Sequence, residues 1–212
     1  MKTCMFTLCT TLFLLLQSAG IAQDQSVWEK SLGSSPPLVV ATTATGPHAT
    51  RFPFDPKTYG LVRGYAPSNQ VSKPCIVLYA RHLNDSTRTI VAKVDAFSAT
   101  HPTMDAAYLH LFDEKGAQRG GYTAEELTTR IKELDTIAKS QNWKATSIGV
   151  AANKSGTRTV GIIDDNDVVI VVLKPDGQKD KPIVVWYQVI NTTKMAADSL
   201  KKLEASLSTA LK

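Results

Sequence analysis

The segment of residues 73–97 constrains the fold of this chain more than any other part of the sequence. It begins with a Lys-Pro pair and continues as an uninterrupted apolar run over residues 75–80. Apolar runs without alternation are typical of strands that are buried on both faces of an α/β sheet. After a polar turn, apolar residues recur with helical spacing at Ile90, Val91, Val94 and Phe97. The segment therefore predicts a buried strand followed directly by a helix, whose first amides can be capped by Asn84, Asp85 or Ser86.

The rest of the chain predicts more strands and helices of the same kind. A Thr-Ala-Glu-Glu capping box at residues 123–126 marks the start of a second helix. The last two strands are expected to pair antiparallel across a Lys-Pro-Asp-Gly turn. The final helix is expected to be capped by Thr192 or Thr193. The predicted later strands are residues 106–112, 147–150, 168–173 and 183–189.

This order of elements resembles the thioredoxin-like fold. A more specific likeness is to exported bacterial thioredoxin-like proteins of unassigned role. It rests on a Pro-x-apolar-Tyr-Ala-Arg strand at residues 74–81 and an Asp-x-Asp-Val sequence at residues 165–168. The resemblance implies an α/β three-layer sandwich, in which helices flank a mixed central sheet.

The sequence departs from the redox-active members that it resembles in two ways. These members carry a Cys-x-x-Cys motif, either where the first core strand meets its helix or just before that strand. Residues 80–87 and 59–65, which correspond to these positions, contain no cysteine. The proline that precedes a later strand in the family is also missing from residues 159–164. These departures favour a non-redox role on the same fold.

The N-terminal part of the chain predicts an export signal and a tail. Residues 1–22 have a basic start, an apolar centre and a small-residue exit, which is the pattern of a cleaved signal peptide. Residues 23–57 lose periodicity and are rich in Pro, Ser and Thr, so we expect a flexible tail. As the less favoured alternative, residues 38–40 could add a short edge strand, and Trp28 or Phe52 and Phe54 could dock on the domain. Residues 58–212 form the thioredoxin-like domain. We expect a periplasmic or extracellular protein with no stable membrane anchor after cleavage.

Cys75 is the only cysteine beyond residue 9. It lies among Ile76, Val77 and Leu78 at the start of a strand, where a thiol usually behaves as a small buried apolar group. That reading is favoured. The alternatives are a reactive thiol and a disulfide between chains.

The start of the first core helix is the candidate binding site. Helix amides and the helix dipole favour an anion there, and Arg81 and His82 lie beside them in sequence. We therefore predict that Arg81, His82, Asn84, Asp85 and Ser86 bind a peptide or a small anion. In the simpler interpretation, Arg81 and His82 are solvated and the other three residues only cap the helix.

No catalytic, metal or cofactor motif emerges from the sequence. The four histidines, His48, His82, His101 and His110, are scattered and lack ligand spacing. The acidic residues at 164–167 lack the spaced donors of a calcium loop and are interpreted as a polar turn. The net charge of +5 is spread along the chain, which argues against a nucleic-acid partner.

Three function classes follow. The favoured one is an exported, non-redox binding or scaffold module whose partner is another exported protein or peptide. The alternatives are a thiol oxidoreductase-related protein that acts through Cys75 and an enzyme of another class on the same scaffold. The sequence does not indicate an oligomeric state.

Overall fold

The structure, a computed structural model, describes residues 27–36, 41–47, 73–111, 122–151, 160, 162, 166–176, 182–196 and 198–212. The predicted signal peptide, much of the predicted tail, His48, Asp164 and Asp165 lie outside these residues.

Six strands form one mixed sheet in the order β1-β4-β3-β2-β5-β6. The central strands β2, β3 and β4 run parallel, and β5 pairs antiparallel with both β2 and β6. At the other edge, β1 pairs antiparallel with β4. The strands are β1 Ala41–Thr45, β2 Cys75–Ala80, β3 Asp105–His110, β4 Thr146–Ala151, β5 Asp167–Pro175 and β6 Pro182–Asn191.

In the described part of the chain, three long helices cover one face of this sheet and a short one lies on the other. Their bounds are α1 Val27–Ser31, α2 Asp85–Ala99, α3 Ala124–Ser140 and α4 Ser199–Ala210. Apolar residues of α2, α3 and α4 share one core cluster with one side of the strands, and Trp28 of α1 belongs to the cluster on the opposite side. This arrangement gives three layers, as the sequence predicts. No helix within the described ranges has the length and apolar character needed to cross a bilayer.

The elements with strong local signals form as predicted. Residues 75–80 are all buried, with β3 on one side and β5 on the other. The Asn84 side chain caps α2, and Thr123 and Glu126 form the reciprocal capping box of α3. The antiparallel pairing of β5 with β6 is confirmed.

The predicted cap of the last helix is wrong. Thr192 and Thr193 lie in a short 3₁₀ turn, Thr192–Lys194, and α4 begins later, after Asp198. The Thr192 hydroxyl instead donates to the carbonyl of Asn166 at 2.9 Å, which ties the end of β6 to the start of β5. This contact joins residues 26 positions apart, so a local reading of the sequence does not find it.

The prediction of a flexible tail is wrong for the part of residues 23–57 that the structure describes. Trp28 is 1% exposed, and β1 pairs with β4, with a register shift between Thr43 and Thr45. Burial of the Trp28 indole and the backbone hydrogen bonds between β1 and β4 stabilise these residues. They offset the conformational entropy that is lost when a Pro- and Thr-rich segment becomes ordered.

Candidate functional site

The predicted binding residues lie where β2 ends and α2 begins. In the sheet, Ala80 is next to His110 of β3 and Val168 of β5. The turn after Ala80 therefore lies at the carboxyl-terminal ends of the parallel strands. In open α/β sheets, ligands bind in the crevice outside the carboxyl-terminal ends of the strands. The structure therefore places Arg81, His82 and Asn84 in the connection between β2 and α2, and Asp85 and Ser86 in the first turn of α2.

Asn84 uses both ends of its amide on protein groups. Its Oδ1 accepts hydrogen bonds from the Thr87 amide at 2.8 Å and the Thr87 hydroxyl at 3.0 Å. Its Nδ2 donates to the Thr192 hydroxyl at 3.2 Å. Asn84 thus caps α2 and links it to the end of β6, which supports the structural interpretation for this residue.

The other four residues differ in exposure. His82 and Asp85 are exposed, whereas Arg81 and Ser86 are partly buried. Asp85 forms an ion pair with Arg88 one turn along α2, at 3.5 Å. Binding of an anion or peptide at this turn stays a prediction.

Cys75 lies at the opposite end of β2. Its side chain is 1% exposed and is not in a disulfide, and its sulfur is 3.8 Å from the carbonyl oxygen of Ile76. The predicted burial is confirmed. Five residue steps along the strand separate Cys75 from Ala80, or about 16 Å. The thiol is therefore remote from the turn at which redox-active members of the resembled family carry their motif.

Tyr79 lies four positions along β2 from Cys75, on the same face of the strand. Burial raises the pKa of the Tyr79 phenol far above its ordinary value, and the nearby Cys75 raises it further. The indole of Trp28 stacks on the Tyr79 ring with 5.6 Å between centroids. Cys75, Tyr79 and Trp28 therefore form a continuous buried group on the face that carries α1.

A second polar group, on the helix-covered face, was not predicted as a unit. The Tyr108 hydroxyl lies 3.1 Å from His110 Nδ1, and both side chains are buried. Burial raises the pKa of Tyr108, and Arg130 of α3 partly opposes this rise. The Arg130 guanidinium also lies 6.0 Å from the centre of the Tyr122 ring. The i, i+2 spacing of Tyr108 and His110 on a strand indicates a shared face, but the approach of Arg130 depends on helix packing.

The histidines do not converge on a common ligand in the described part of the chain. His101 stacks on Phe97, with 4.2 Å between ring centroids, and its Nδ1 lies 2.7 Å from the Phe97 carbonyl oxygen. His110 contacts Tyr108 instead. Among the described residues, no three His, Cys, Asp or Glu side chains are grouped so that they could hold a metal ion.

No family model and no curated protein matches the chain. Solved structures with a similar fold exist at low identity. A peroxiredoxin-like protein from Aquifex aeolicus is 11% identical, with 82% of this chain and 84% of that chain covered and a TM-score of 0.47. A secreted disulfide oxidoreductase from Mycobacterium tuberculosis is 9% identical, with coverage of 80% and 94% and a TM-score of 0.47. A 2-Cys peroxiredoxin from Plasmodium vivax is 12% identical, with coverage of 84% and 82% and a TM-score of 0.48.

These neighbours contradict the prediction of a non-redox binding or scaffold module. They are named as a peroxiredoxin-like protein, a disulfide oxidoreductase and a 2-Cys peroxiredoxin. The favoured prediction rested on the missing Cys-x-x-Cys motif, and thiol chemistry at Cys75 was its alternative. At such low identity the likeness describes the fold alone, and no residue role is transferred from it. The chain has a thioredoxin-like fold.

Proposed function

We propose that this protein is a thiol oxidoreductase-related protein that acts through the single thiol of Cys75. The observation that carries the proposal is the position of Cys75 in the core strand β2, on the same face as Tyr79 and in the same core cluster as Trp28 of α1. Because no other cysteine follows residue 9, any thiol chemistry of the core domain runs through this residue.

The chemistry is that of a monothiol exchange. The Cys75 thiolate attacks one sulfur of a substrate disulfide, forms a mixed disulfide with that half, and releases the other half as a thiolate. An external thiol such as glutathione then attacks the mixed disulfide, takes over the substrate half and restores Cys75. A second cysteine in the domain is not needed for this cycle.

The burial of Cys75 sets the rate of this exchange. A thiol that is 1% exposed cannot meet a protein disulfide until the surrounding structure opens. We therefore expect slow exchange in the closed state.

Mixed-disulfide formation tests the proposal. The full chain is incubated with glutathione disulfide under native conditions, and the adduct is located by mass spectrometry of peptides. We expect glutathione on Cys75 in the wild type, faster reduction of a disulfide-bearing reporter in the presence of glutathione, and loss of both in Cys75→Ser. Equal reporter reduction by wild type and Cys75→Ser would overturn the proposal.

Export is part of the same proposal and is supported by the signal-peptide pattern of residues 1–22. Under this proposal, the substrate is a disulfide-bearing exported protein or peptide. N-terminal sequencing of the protein from a secreting host should give a chain that starts at Gln23. A chain that retains Met1 and stays in the cytoplasm would contradict export.

A further inference from the structure

The strand β6 lies at one edge of the sheet, and only its amino-terminal half is protected there. The segment that follows α1 covers this half: the Val184 amide donates to the Ser34 carbonyl, and the Gly33 amide donates to the Val184 carbonyl, both at 2.9 Å. Val185 is skipped in the pairing with β5, which marks a β-bulge. A covering segment and a bulge both protect sheet edges from pairing with other strands. Among the described residues, neither feature extends to residues 187–191.

The carboxyl-terminal half of β6 turns backbone hydrogen-bonding groups toward this open side. The Thr192 amide points toward β5, since it donates to the Asn166 carbonyl at 2.9 Å. Backbone groups alternate in direction along a strand, so the N–H and C=O of Tyr187 and Val189 and the N–H of Asn191 point away from β5. No described residue forms a backbone hydrogen bond with these outward groups.

The same edge carries the two large apolar side chains that are most exposed in the described part of the chain. Leu32, which forms a bridge to Val184, is 47% exposed, and Val189 is 42% exposed. Tyr187 lies two positions from Val189 on the same face and is only partly buried. Charged side chains, Lys above all, commonly prevent edge strands from pairing, but residues 182–193 contain none.

We propose that β6 pairs antiparallel with β6 of a second copy of this chain, across a two-fold axis beside Val189. In this register Val189 lies opposite the partner's Val189, and Tyr187 lies opposite the partner's Asn191. The Val189 N–H donates to the C=O of the partner's Val189, and the symmetric bond completes the pair. The Tyr187 C=O accepts from the N–H of the partner's Asn191. The two sheets thereby become continuous.

The edge is complementary to itself, which favours a second copy over an unrelated strand. A two-fold contact places each residue of the edge against a residue of the same edge, so a central charge would meet a like charge. The absence of charge over residues 182–193 removes this repulsion. The outward groups of Tyr187, Val189 and Asn191 are spaced evenly about Val189, and the two Val189 side chains cover each other. This pairing is independent of the proposed function.

Sedimentation equilibrium of the full chain tests the pairing. We expect the wild type to be mostly dimeric at about 100 μM, where even a micromolar affinity suffices. Val189→Lys places two ammonium groups beside the axis and should raise the dimer dissociation constant by about a hundredfold. Thr129→Lys adds the same charge at an exposed position of α3 and should change nothing. A monomeric wild type, or equal behaviour of the two variants, would overturn the proposal.

A proline variant separates loss of pairing from loss of folding. The Val189 N–H points away from β5, so Val189→Pro should keep the far-UV circular dichroism of the wild type, because proline is tolerated where an edge N–H faces outward. It removes both central hydrogen bonds and should sediment as a monomer. Ile190→Pro is the matched control, since the Ile190 N–H faces β5 and its loss should destabilise the fold. A folded Val189→Pro that dimerises like the wild type would refute the pairing.

Cysteine pairing tests the register without weakening the edge. Opposed residues of a hydrogen-bonded antiparallel pair have Cα atoms about 5.5 Å apart, which is within disulfide range. Val189→Cys should therefore form a disulfide between two copies, located by mass spectrometry of peptides. Tyr187→Cys alone should not, because its two copies are about 14 Å apart, but it should link to Asn191→Cys in a mixture. If Tyr187→Cys links to itself as readily as Val189→Cys, the proposed register is wrong and the proposal fails.

Discussion

Asp95 organises the entrance to β4 from its position on α2. Its side chain accepts hydrogen bonds from three successive backbone amides, those of Lys144, Ala145 and Thr146, at 3.2, 2.8 and 2.7 Å. The residue is 8% exposed. The buried Asp95 carboxylate thus satisfies three backbone donors at the entrance to β4. The same contacts join α2 to a strand about fifty residues later in the sequence.

Asp95→Asn should therefore lower the free energy of unfolding by about 1–3 kcal/mol. The amide retains one oxygen acceptor, but its NH₂ group faces backbone donors. Urea denaturation measures the change. Asp135→Asn is the control, because Asp135 makes an i, i+4 ion pair with Lys139, whose side chain is 72% exposed, and its loss should cost about 0.5 kcal/mol or less. Equal losses in the two variants would contradict the assigned role of Asp95.

Gly46 and Gly33 give a matched pair for backbone strain. Both have positive φ, but a Cβ at Gly46 would lie 2.6 Å from the Ser147 Cα and the Thr146 carbonyl oxygen, whereas at Gly33 it would meet nothing within 4 Å. Gly33→Ala should cost about 1–2 kcal/mol from the left-handed conformation alone. Gly46→Ala should cost about 3 kcal/mol or more, because the clash is with backbone that cannot rotate away. Thermal and urea denaturation compare the two, and similar costs would refute the close approach of the two backbones.

At the scale of elements, the α2 N-terminus depends on Asn84 for two separate contacts. Asn84→Ala removes the cap and the link to Thr192 and should cost about 1–2 kcal/mol. Asn84→Asp keeps a capping oxygen, loses only the donor to Thr192, and should cost clearly less. Chemical denaturation of the two variants measures the difference. If Asn84→Asp were as destabilising as Asn84→Ala, the link to Thr192 and not the cap would dominate.

The start of α4 should show a pH signature. Hydrogen bonding to Lys202 and the positive charge of Lys202 lower the pKa of Asp198 below its ordinary value of 3.8. Since the folded-state pKa is the lower one, the ion pair contributes stability at pH values above 3.8 and loses that contribution as the pH falls through the folded-state pKa. NMR titration of the Asp198 carboxyl should give a midpoint below 3.8, and Lys202→Ala should move it upward. An unchanged midpoint would exclude Lys202 as the cause.

At the scale of the whole molecule, the two faces of the sheet are covered by different elements. Three helices cover one face, and Lys93 of α2 is joined to Glu204 of α4 by a 2.6 Å ion pair. Among the described residues, the other face is covered by α1 together with Val160 and Ile162. Detachment of residues 27–34 from the sheet should cost less free energy than unfolding of the domain, because these residues are held by the Trp28 side chain and by backbone hydrogen bonds to Val184.

Native-state hydrogen exchange should show this difference across the molecule. Amides of β2 and β5, whose residues 75–80 and 168–172 are buried in the interior of the sheet, should exchange only through global unfolding. The Gly33 amide, which bonds to Val184, should exchange through a lower-energy opening. Mass spectrometry or NMR at increasing urea measures both openings. Identical protection of Gly33 and β5 would show that residues 27–34 and the sheet open as one unit.

The sequence by itself determined the elements whose signals are local. Neighbouring residues are enough to predict the apolar strand β2, the helix caps at Asn84 and Thr123, and the pairing of β5 with β6. The spacing of apolar residues and the capping of helices both depend on residues only a few positions apart. The sequence also predicted correctly that Cys75 is buried. The order of its elements also indicated the thioredoxin-like fold, although the Cys-x-x-Cys motif is absent.

Only the tertiary structure decided the contacts that join distant parts of the chain. Trp28 donates to Val160, 132 residues away, and this contact orders a segment whose composition predicts flexibility. In the same way, the structure placed Asp95 at the start of β4 and Arg130 near the Tyr108–His110 pair. The physical reason is that such contacts gain their free energy from burial and hydrogen bonding between surfaces that meet only after the sheet has formed, and local sequence patterns do not record which surfaces will meet.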